Sequence, residues 1–592
     1  MTKTRLMQKD EMRDKNEQAT GVYKTINEDC EQVFNTSDRF SSPKPRRKIL
    51  VTNALTYANN TLHLGHLIGY VQADIWSRFQ KMNGHDCVYI GGSDGHGTPI
   101  MIRAEQENKD PVAFIEAIQA EQQKICRDFL IDLNHFYTTH SEENKALAEM
   151  IYARLQQQGD ILKRTIEQAY DPIKKIFLPD RYVKGECPKC GAKDQYGDSC
   201  EVCSATYSPM ELKNPVSALS GQTPVTRTSE HYFFRLSHYE SKLKQWSTEN
   251  HLPVEAINKL NEWFEAGLQD WDISRDAPYF GFKIPETNDK YFYVWFDAPI
   301  GYFSILKHWC QLTGKTDFDD YLDPHSNIEL YHFIGKDIMY FHTLFWPAVL
   351  MSAELKTPTK ISIHGFLTID GQKMSKSRGT FIKAQTYLDH LHPEYFRYYA
   401  ASKLTSRIED IDLNFEDFRL KINADLVGKV VNLASRCAGF IQKHFDNRLS
   451  DVCENEKLID EFKAASSTIA TYYEEREFAQ AIRLIMQLAD RANQYIDEKK
   501  PWVTIKDPAT ASKTHAVCTM GLNLFRLMII YLKPILPEIA VKTEAFLNIA
   551  PLAWNDVNTL LLNHPIHVFV PLMQRIDPTT IETLKEAEKN HV

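Results

Sequence analysis

Two short stretches, far apart in the chain, carry side chains suited to phosphate chemistry. The first is His63-Leu64-Gly65-His66, which follows a β-like run and opens a helical pattern. The second is Lys373-Met374-Ser375-Lys376-Ser377, which follows a predicted strand and a glycine-bearing turn. Imidazoles can donate hydrogen bonds to phosphoryl oxygens, and a cationic loop can neutralise a triphosphate. Together the two stretches favour a reaction on a nucleotide.

The histidine stretch lies where a helix N-terminus would present free backbone N–H groups and a positive dipole end to phosphate. Gly65 removes a side chain that would keep a nucleotide away from the backbone. His63 and His66 are three residues apart, so both can face the same nucleotide. The alternative is that they are only capping or solvated histidines at the start of a helix.

The lysine stretch predicts a cationic loop carrying Lys373 and Lys376 beside two serines. Such a loop would supply positive charge mainly as negative charge builds up on a leaving pyrophosphate, which is differential binding of the transition state. A solvated basic loop without function is the alternative.

The elements around these stretches predict a parallel βαβ unit. Residues 48–52 form a buried strand pattern, and residues 87–90 form a second. Between them apolar side chains recur every four residues, as on one face of a helix, at Leu67, Val71, Ile75 and Phe79. Two parallel strands joined by a helix would place the histidine stretch at the carboxyl end of the first strand.

The alternation of strand and helix is interrupted between about 158 and 274 and resumes at 291–296, 330–334 and 361–364. After about residue 425, long helical patterns dominate to about 550. The fold class predicted is α/β, with a Rossmann-like parallel-sheet domain, a zinc-binding insertion and then an α-helical bundle.

Four clustered cysteines, Cys187-x2-Cys190-x9-Cys200-x2-Cys203, have the spacing of a closed tetrahedral zinc site. A site of four thiolates has no open position for a substrate, so the zinc would be structural. Two disulfides or free thiols are the alternatives.

Composition bounds the class of protein. The chain has 592 residues, 43% hydrophobic and 25% charged, which is typical of a soluble protein of several domains. Its net charge of -9 requires any nucleic-acid partner to meet a local basic face. We find no run that would span a membrane. The odd count of 11 cysteines suggests reduced thiols and a cytoplasmic protein. Residues 1–45 form a polar leader, expected to be disordered.

Further motifs give the chain its resemblance to a known family. Residues 52–59, 96–99, 271–276, 294–302, 333–337 and 371–380, with the histidine stretch, resemble methionyl-tRNA synthetases among the class I aminoacyl-tRNA synthetases. The similarity runs from about 48 to about 577 and is closest to bacterial members with a single zinc knuckle.

The resemblance implies roles for individual residues. His63, Gly65, His66, Lys373 and Lys376 would serve adenylate formation, with His63, His66 and Lys376 on ATP. Asp94 would bind the ammonium group of the amino acid. The pocket for the thioether side chain would be lined by Leu55, Tyr57, Trp295, Tyr302, Phe341 and His342, with Asp337 near the nucleotide or the amino acid. Asn432, Arg436 and Trp502 would contact the tRNA anticodon. For each aromatic taken alone, core packing is the alternative.

Two positions depart from the family pattern. Thr56 replaces the usual proline and Asn60 replaces the usual glycine. Proline to threonine loosens φ, and asparagine tolerates a positive φ better than most residues. We expect the loop to keep its geometry.

The resemblance implies a methionine–tRNA ligase that uses methionine, ATP with Mg²⁺, and tRNA(Met), with one structural Zn²⁺ and no membrane. A monomer is expected, because no tRNA-binding OB-fold follows the bundle. The rivals are another class I synthetase (for leucine, valine or cysteine), a non-catalytic tRNA-binding protein and a small nucleotidyltransferase.

The expected division of the chain follows the motifs. It is: 1–45 leader; 46–157 first half of the Rossmann domain; 158–274 connective insertion with the zinc knuckle; 275–360 second half of the Rossmann domain; 361–425 junction domain with the lysine loop; 426–555 anticodon-binding bundle; 556–592 C-terminal extension.

Overall fold

The fold is built around a parallel sheet whose central strand is the one predicted at 48–52. The computed structural model describes residues 46–589 except 198, 199, 201, 204, 206, 316 and 375–380. The predicted leader at 1–45 lies outside the described residues. The fold class is as predicted: a Rossmann-like α/β region followed by a helical bundle.

The strands follow in chain order. They are β1 (Lys48–Asn53), β2 (Thr56–Tyr57), β3 (Asp86–Asp94), β4 (His135–Thr138), β5 (Ile161–Asp171), β6 (Ile176–Phe177), β7 (Val183–Glu186), β8 (Gln195–Tyr196), β9 (Lys213–Ser217), β10 (Val225–Phe234), β11 (Trp271–Asp272), β12 (Ser274–Asp276), β13 (Lys290–Phe292), β14 (Glu329–Gly335), β15 (Lys360–His364), β16 (Leu367–Ile369), β17 (Gln372–Lys373) and β18 (Ile411–Leu413).

The α-helices follow in the same order. They are α1 (Leu64–Met82), α2 (Thr98–Gln106), α3 (Pro111–Asp128), α4 (Glu142–Gln157), α5 (Glu240–Thr248), α6 (Val254–Ala266), α7 (Val294–Asp297), α8 (Gly301–Thr313), α9 (Phe318–Leu322), α10 (Trp346–Ser352), α11 (Ala384–His390), α12 (Pro393–Ala401), α13 (Phe415–Lys421), α14 (Asn432–His444), α15 (Glu456–Glu474), α16 (Phe478–Lys499), α17 (Pro501–Thr504), α18 (Ala511–Leu532), α19 (Pro537–Leu547) and α20 (Pro578–Lys589).

The main sheet has six strands, and all its pairs are parallel. The order is β15-β14-β1-β3-β2, with β4 also paired to β3. β1 lies between β3, which follows it closely in the chain, and the much later β14. The strand order therefore reverses at β1, and ligands in open parallel sheets bind in the crevice at such a point, beyond the carboxyl ends of the strands.

Helix α1 connects β1 to β3, as the sequence predicts. The four apolar side chains that mark its face are all at most 2% exposed. They pack on the sheet in a core that continues into the bundle. Asp74 and Arg397, both fully buried, form an ion pair at 2.6 Å that ties α1 to α12. Arg397 also donates to the carbonyl oxygens of Pro534 and Ile535, so the sheet helix and the bundle are held together.

The signal at 291–296 was interpreted as a strand resuming the main alternation, and that interpretation is wrong. β13 ends at Phe292 and pairs antiparallel with β12 in a small separate sheet. The chain then forms the short helix α7, whose first amide, Val294 N–H, donates to the hydroxyl of Tyr279. A short apolar run fits a strand or a buried helix equally well, so periodicity could not separate them.

The insertion contains a four-stranded sheet, β11-β10-β5-β6, and a three-stranded sheet, β8-β7-β9, both antiparallel. β16 to β18 form another small sheet, from which the lysine stretch emerges.

The bundle begins with a π-helical segment, Ile422–Val431, that continues into α14. Among the described residues, one helical segment, Pro508–Leu532, is long and apolar enough to cross a membrane. However, 94% of its most apolar window is buried inside the bundle, which is what a core helix requires.

Candidate active site

A cavity of 1220 Å³ opens at the carboxyl ends of the parallel strands. Its lining contains every predicted ATP and substrate residue that lies within the described residues: Leu55, Tyr57, His63, Gly65, His66, Asp94, Trp295, Tyr302, Asp337, Phe341, His342 and Lys373. Lys376, together with Ser375 and Ser377, lies outside the described residues. Residues separated widely in the sequence therefore share one site.

The two histidines of the first stretch hold each other at the start of α1. His63 is the N-cap, and its Nδ1 accepts from the Gly65 N–H at 3.1 Å. The Nδ1 of His66 accepts from the His63 N–H at 3.3 Å, and the rings stack with centroids 3.6 Å apart. Since each Nδ1 accepts, each neutral ring carries its proton on Nε2. Both imidazoles can therefore present an Nε2–H donor.

Position 65 leaves no room for a side chain, because His63 and Met374 lie close to the Gly65 backbone. A Cβ at this position would lie 2.9 Å from Cε1 of His63 and 3.3 Å from Sδ of Met374. The sequence predicts that Gly65 gives a nucleotide access to the backbone. In the structure the missing side chain also lets the His63 ring cap the helix and lets the lysine stretch approach it.

Lys373 ends a hairpin that leads toward this point. Its strand β17 pairs antiparallel with β16, with Lys373 opposite Thr368. The turn between them contains Asp370 and Gly371, both with positive φ (47° and 76°). The Lys373 side chain is exposed and lines the cavity, so its charge faces the space beside the histidines.

Asp94 contributes a buried carboxyl group to the cavity lining. It is the last residue of β3, and its Oδ1 is buried without a hydrogen-bond partner among the described residues. Burial, and to a smaller extent the nearby Asp297 carboxylate, raises the pKa of Asp94 well above its usual value. A buried carboxylate oxygen without a partner is costly, so this position is built to receive a cationic donor.

Aromatic side chains form another part of the cavity lining. Trp295 in α7 and Phe341 have ring centroids 4.9 Å apart. Phe341 lies in the π-helical segment Phe341–Phe345, and such segments are frequent at functional sites. Leu55 packs closely because Gly301 has no side chain; a Cβ there would lie 2.6 Å from Leu55 Cδ1. These surfaces suit an unbranched apolar side chain.

One polar pair lies beside these aromatic side chains. The Tyr302 hydroxyl is 2.9 Å from Nε2 of His342, and Nδ1 of His342 donates to the carbonyl oxygen of Ile338 at 3.1 Å. Nε2 is therefore the acceptor and Tyr302 the donor. Burial lowers the pKa of His342 to about 4, so the imidazole is neutral. A neutral polar group among aromatic rings can contact a polarisable sulfur without introducing a charge.

Asp337 follows β14 in a 3₁₀ turn and lines the cavity. Its Oδ1 lies so near the backbone that a Cβ on Gly335 would be 2.5 Å from it.

The two departures from the family pattern are accommodated. Thr56 lies in β2 opposite Ser93, and its hydroxyl is 2.9 Å from that of buried Tyr70. Asn60 has a negative φ, so its backbone does not require the conformational freedom of the usual glycine.

Sequence reasoning missed several side chains of this site. Arg275 lines the cavity, with its guanidinium carbon 3.5 Å from the ring centroid of Tyr293. Behind Asp94, buried His96 pairs through Nδ1 with Asp297 and through Nε2 with His140 at 2.9 Å. Arg275, His96 and Asp297 lie within the matched motifs, and that position was the available signal.

The insertion also contributes to the cavity. Residues 177–182 form part of its wall, whereas none of the four clustered cysteines does. Sequence reasoning considered only the cysteines of this segment.

Those cysteines form a cluster that can hold a metal ion. Sγ of Cys187 is 3.7 Å from that of Cys203, and Sγ of Cys190 is 3.6 Å from that of Cys200. All four sulfurs lie within 4.8 Å of one another. Four sulfurs about 2.3 Å from a tetrahedral zinc would be roughly 3.8 Å apart, so the cluster fits that ion. The four are free thiols, which argues against the alternative of two disulfides.

The predicted anticodon residues lie on the bundle. Asn432 and Arg436 are one turn apart on α14, and the guanidinium carbon of Arg436 lies 4.8 Å from the ring centroid of Trp502. Arg436 also pairs with Asp497. Trp502 remains 38% exposed, and Asn432 is exposed. The three side chains can therefore meet a ligand from solvent.

The fold and the cavity together define a nucleotide-binding α/β protein of the Rossmann type. A family model described as tRNA synthetases class I (M) matches residues 49–438. Another, described as the anticodon binding domain of methionyl tRNA ligase, matches residues 450–574.

Individual relatives agree with these matches. The chain is 55% identical over 547 residues to a methionine–tRNA ligase of Thiobacillus denitrificans, covering 92% of this chain and 79% of the relative. It shares its fold with Mycobacterium tuberculosis methionyl-tRNA synthetase in complex with methionyl-adenylate (TM-score 0.75, 24% identity, 89% of this chain and 100% of the other). The apo form of the mycobacterial protein gives a TM-score of 0.69 at 22% identity, with 91% and 100% covered. The chain belongs to the methionyl-tRNA synthetase family.

Proposed function

We propose that the protein joins methionine to tRNA(Met): ATP and methionine form methionyl-adenylate and pyrophosphate, and the acyl group then passes to the 3′-terminal adenosine. The observation that carries the proposal is that one cavity is lined both by the buried Asp94 carboxylate with aromatic side chains and by residues of the histidine and lysine stretches.

The amino acid would bind where Asp94 and the aromatic side chains line the cavity. Asp94 would accept from the ammonium group. The apolar side chain would lie against Trp295 and Phe341, with its sulfur near the Tyr302 and His342 pair. A neutral imidazole favours a thioether over a charged side chain, because a buried unpaired charge costs far more than a polarisable sulfur.

The nucleotide would bind as its Mg²⁺ complex at the start of α1. The substrate carboxylate is itself the nucleophile, attacking the α-phosphorus as pyrophosphate leaves, so no enzyme nucleophile is required. His63 and His66 would donate through Nε2 to oxygens that gain charge, and Lys373 and Lys376 would neutralise the leaving pyrophosphate.

The bundle would read the anticodon. Trp502 can stack on an unpaired base, while Asn432 and Arg436 can hydrogen-bond to base edges. The cation–π contact of Arg436 with Trp502 orients both side chains before RNA arrives.

The four-cysteine cluster would hold one structural Zn²⁺ through Cys187, Cys190, Cys200 and Cys203. The N–H groups of Cys190 and Cys203 each donate to the sulfur three residues earlier, at 3.4 Å, and such bonds stabilise thiolates. A site of reduced thiols agrees with a cytoplasmic location.

The test is ATP–pyrophosphate exchange with each of the twenty amino acids. We expect exchange with methionine alone among them, and transfer of methionine to tRNA(Met) in the presence of tRNA. Exchange driven by another amino acid would contradict the substrate assignment, and no exchange with any amino acid would contradict the activity.

A further inference from the structure

Helix α20 comes last among the described elements of the chain. It contacts the segment at Lys383, which pairs with His63 of the histidine stretch. Glu588, only 3% exposed, accepts through Oε1 from the Lys383 N–H at 2.7 Å. Lys383 is the N-cap of α11, and no side-chain bond of its own caps that helix. The Glu588 carboxylate therefore satisfies a helix-start amide that the local sequence leaves without a protein acceptor.

The segment held by Glu588 is bonded directly to the histidine stretch. Leu64 N–H donates to the Ile382 carbonyl at 3.1 Å, and Ala384 N–H donates to the Leu62 carbonyl at 2.9 Å. These bonds form an antiparallel bridge between His63 and Lys383. Movement of the α11 start would therefore move the backbone of His63.

The same helix also touches the hairpin that carries Lys373. Lys585, one turn before Glu588, pairs with Asp370 at 3.1 Å, in the turn between β16 and β17. Its ammonium lies 4.7 Å from the ring centroid of Phe415. This ion pair is partly exposed and contributes little to stability, but it restrains the turn.

An apolar face fixes α20 in this position. Ile581 and Leu584 are 8% and 0% exposed and join the core that contains Ile382 and Tyr387. The apolar side chains hold the helix in place. Glu588 then contacts the segment beside His63, and Lys585 contacts the turn before Lys373.

We propose that Glu588 and Lys585 are positioning residues for adenylate formation, which rests on the function proposed above. Glu588 sets the place of His63 through Lys383, and Lys585 sets the place of Lys373 through Asp370. Neither contacts the cavity, so their effect is on the placement of donors for the transition state rather than on methionine binding.

The test compares Glu588→Ala, Glu588→Gln and the matched control Glu586→Ala, an exposed glutamate on the same helix. Single-turnover adenylate formation, methionine affinity and the apparent unfolding temperature are measured for each full-length chain. We expect Glu588→Ala to slow adenylate formation about 5- to 100-fold, because it leaves a buried N–H unpaired, with methionine affinity unchanged within about 2-fold. Glu588→Gln keeps an acceptor oxygen and should recover most of the rate, and Glu586→Ala should match the wild type.

The outcomes are separable. A wild-type rate in Glu588→Ala would overturn the inference while leaving the proposed function intact. If Glu588→Ala instead lowered methionine affinity, the rate of adenylate formation and the unfolding temperature together, and Glu588→Gln did not restore them, the inference would be overturned. Glu588 would then have only a structural role. Absence of adenylate formation in the wild type would instead contradict the proposed function. Lys585→Ala should slow the same step less than Glu588→Ala, with recovery in Lys585→Arg, and an unchanged rate would remove Lys585 from the proposal.

Discussion

The carboxylate at the end of β3 offers the sharpest test of how this cavity selects its ligand. Asp94→Asn keeps the shape of the side chain and removes the charge that would meet an ammonium group. A hydrogen bond to a charged group contributes about 1.5–3 kcal/mol, so the dissociation constant for methionine should rise roughly 10- to 150-fold. Because the pKa of Asp94 is raised by burial, the carboxyl must lose a proton before it can pair with the ammonium group, and we expect the lower part of that range.

Asp94→Asn should lower the affinity for methionine but should not lower the stability of the empty protein. The pKa of Asp94 is raised by burial, so the folded state holds this proton to higher pH than the unfolded state does. As pH rises from the unfolded pKa of about 4 through the raised folded value, the charged side chain increasingly destabilises the empty protein. Asp94→Asn removes that cost, so its apparent unfolding temperature near pH 8 should equal or exceed that of the wild type.

The assay can use the protein's own tryptophan. Trp295 lines the cavity, so its fluorescence should report methionine binding. Calorimetry in buffers of different ionisation enthalpy should also detect a proton released when methionine binds to protonated Asp94, and Asp94→Asn should release none. An asparagine variant that binds methionine with wild-type affinity would refute the reasoning.

Three further predictions concern other parts of the protein. In Cys200→Ser, the amount of bound zinc should fall below one per chain, and hydrogen exchange should become faster in the insertion but not in the bundle. Wild-type protein that contains no zinc when it is purified under reducing conditions would contradict the site. Trp502→Ala should leave methionine-dependent exchange unchanged and lower kcat/KM for tRNA about 5- to 100-fold; a proportional loss of both would make it a folding residue. The pKa of His231, between Asp272 and Asp276, is raised by their hydrogen bonds against the effect of burial. Its stabilisation should be full below about pH 6.5 and fall as pH rises through its folded pKa, so the unfolding-temperature gap between the wild type and His231→Gln should narrow from pH 6 to pH 9, and a constant gap would contradict it.

Local patterns were enough to predict the elements that carry the site. The strand at 48–52, the four-residue apolar period of α1 and the glycine-bearing hairpin before Lys373 all depend on neighbours in sequence, and the structure confirms them. The prediction at 291–296 is wrong because there the neighbours in sequence did not decide the structure. A six-residue apolar stretch has too few periods to distinguish a strand from a helical turn, and contacts with Tyr279 and the β12 strand decided it.

Motifs gave the identity of the site residues but not their states. The sequence placed His63 and His66 at a helix start, yet the backbone bonds from Gly65 to His63 Nδ1 and from His63 to His66 Nδ1, which put each ring proton on Nε2, appear only in three dimensions. Asp94 was assigned from its motif, while two of its properties appear only in three dimensions: an oxygen without a partner among the described residues, and a pKa raised by burial and, to a smaller extent, by the Asp297 carboxylate.

The sequence by itself determined the individual motifs, most of the elements around them and the thiol cluster, because each of these depends on residues close together along the chain. The tertiary structure alone decided that residues 177–182 and Arg275 line the cavity, and that Glu588 satisfies the amide beside His63. Those contacts join residues separated by many elements. Their geometry depends on how helices and sheets pack, and no local spacing records a partner that folding brings from another part of the chain.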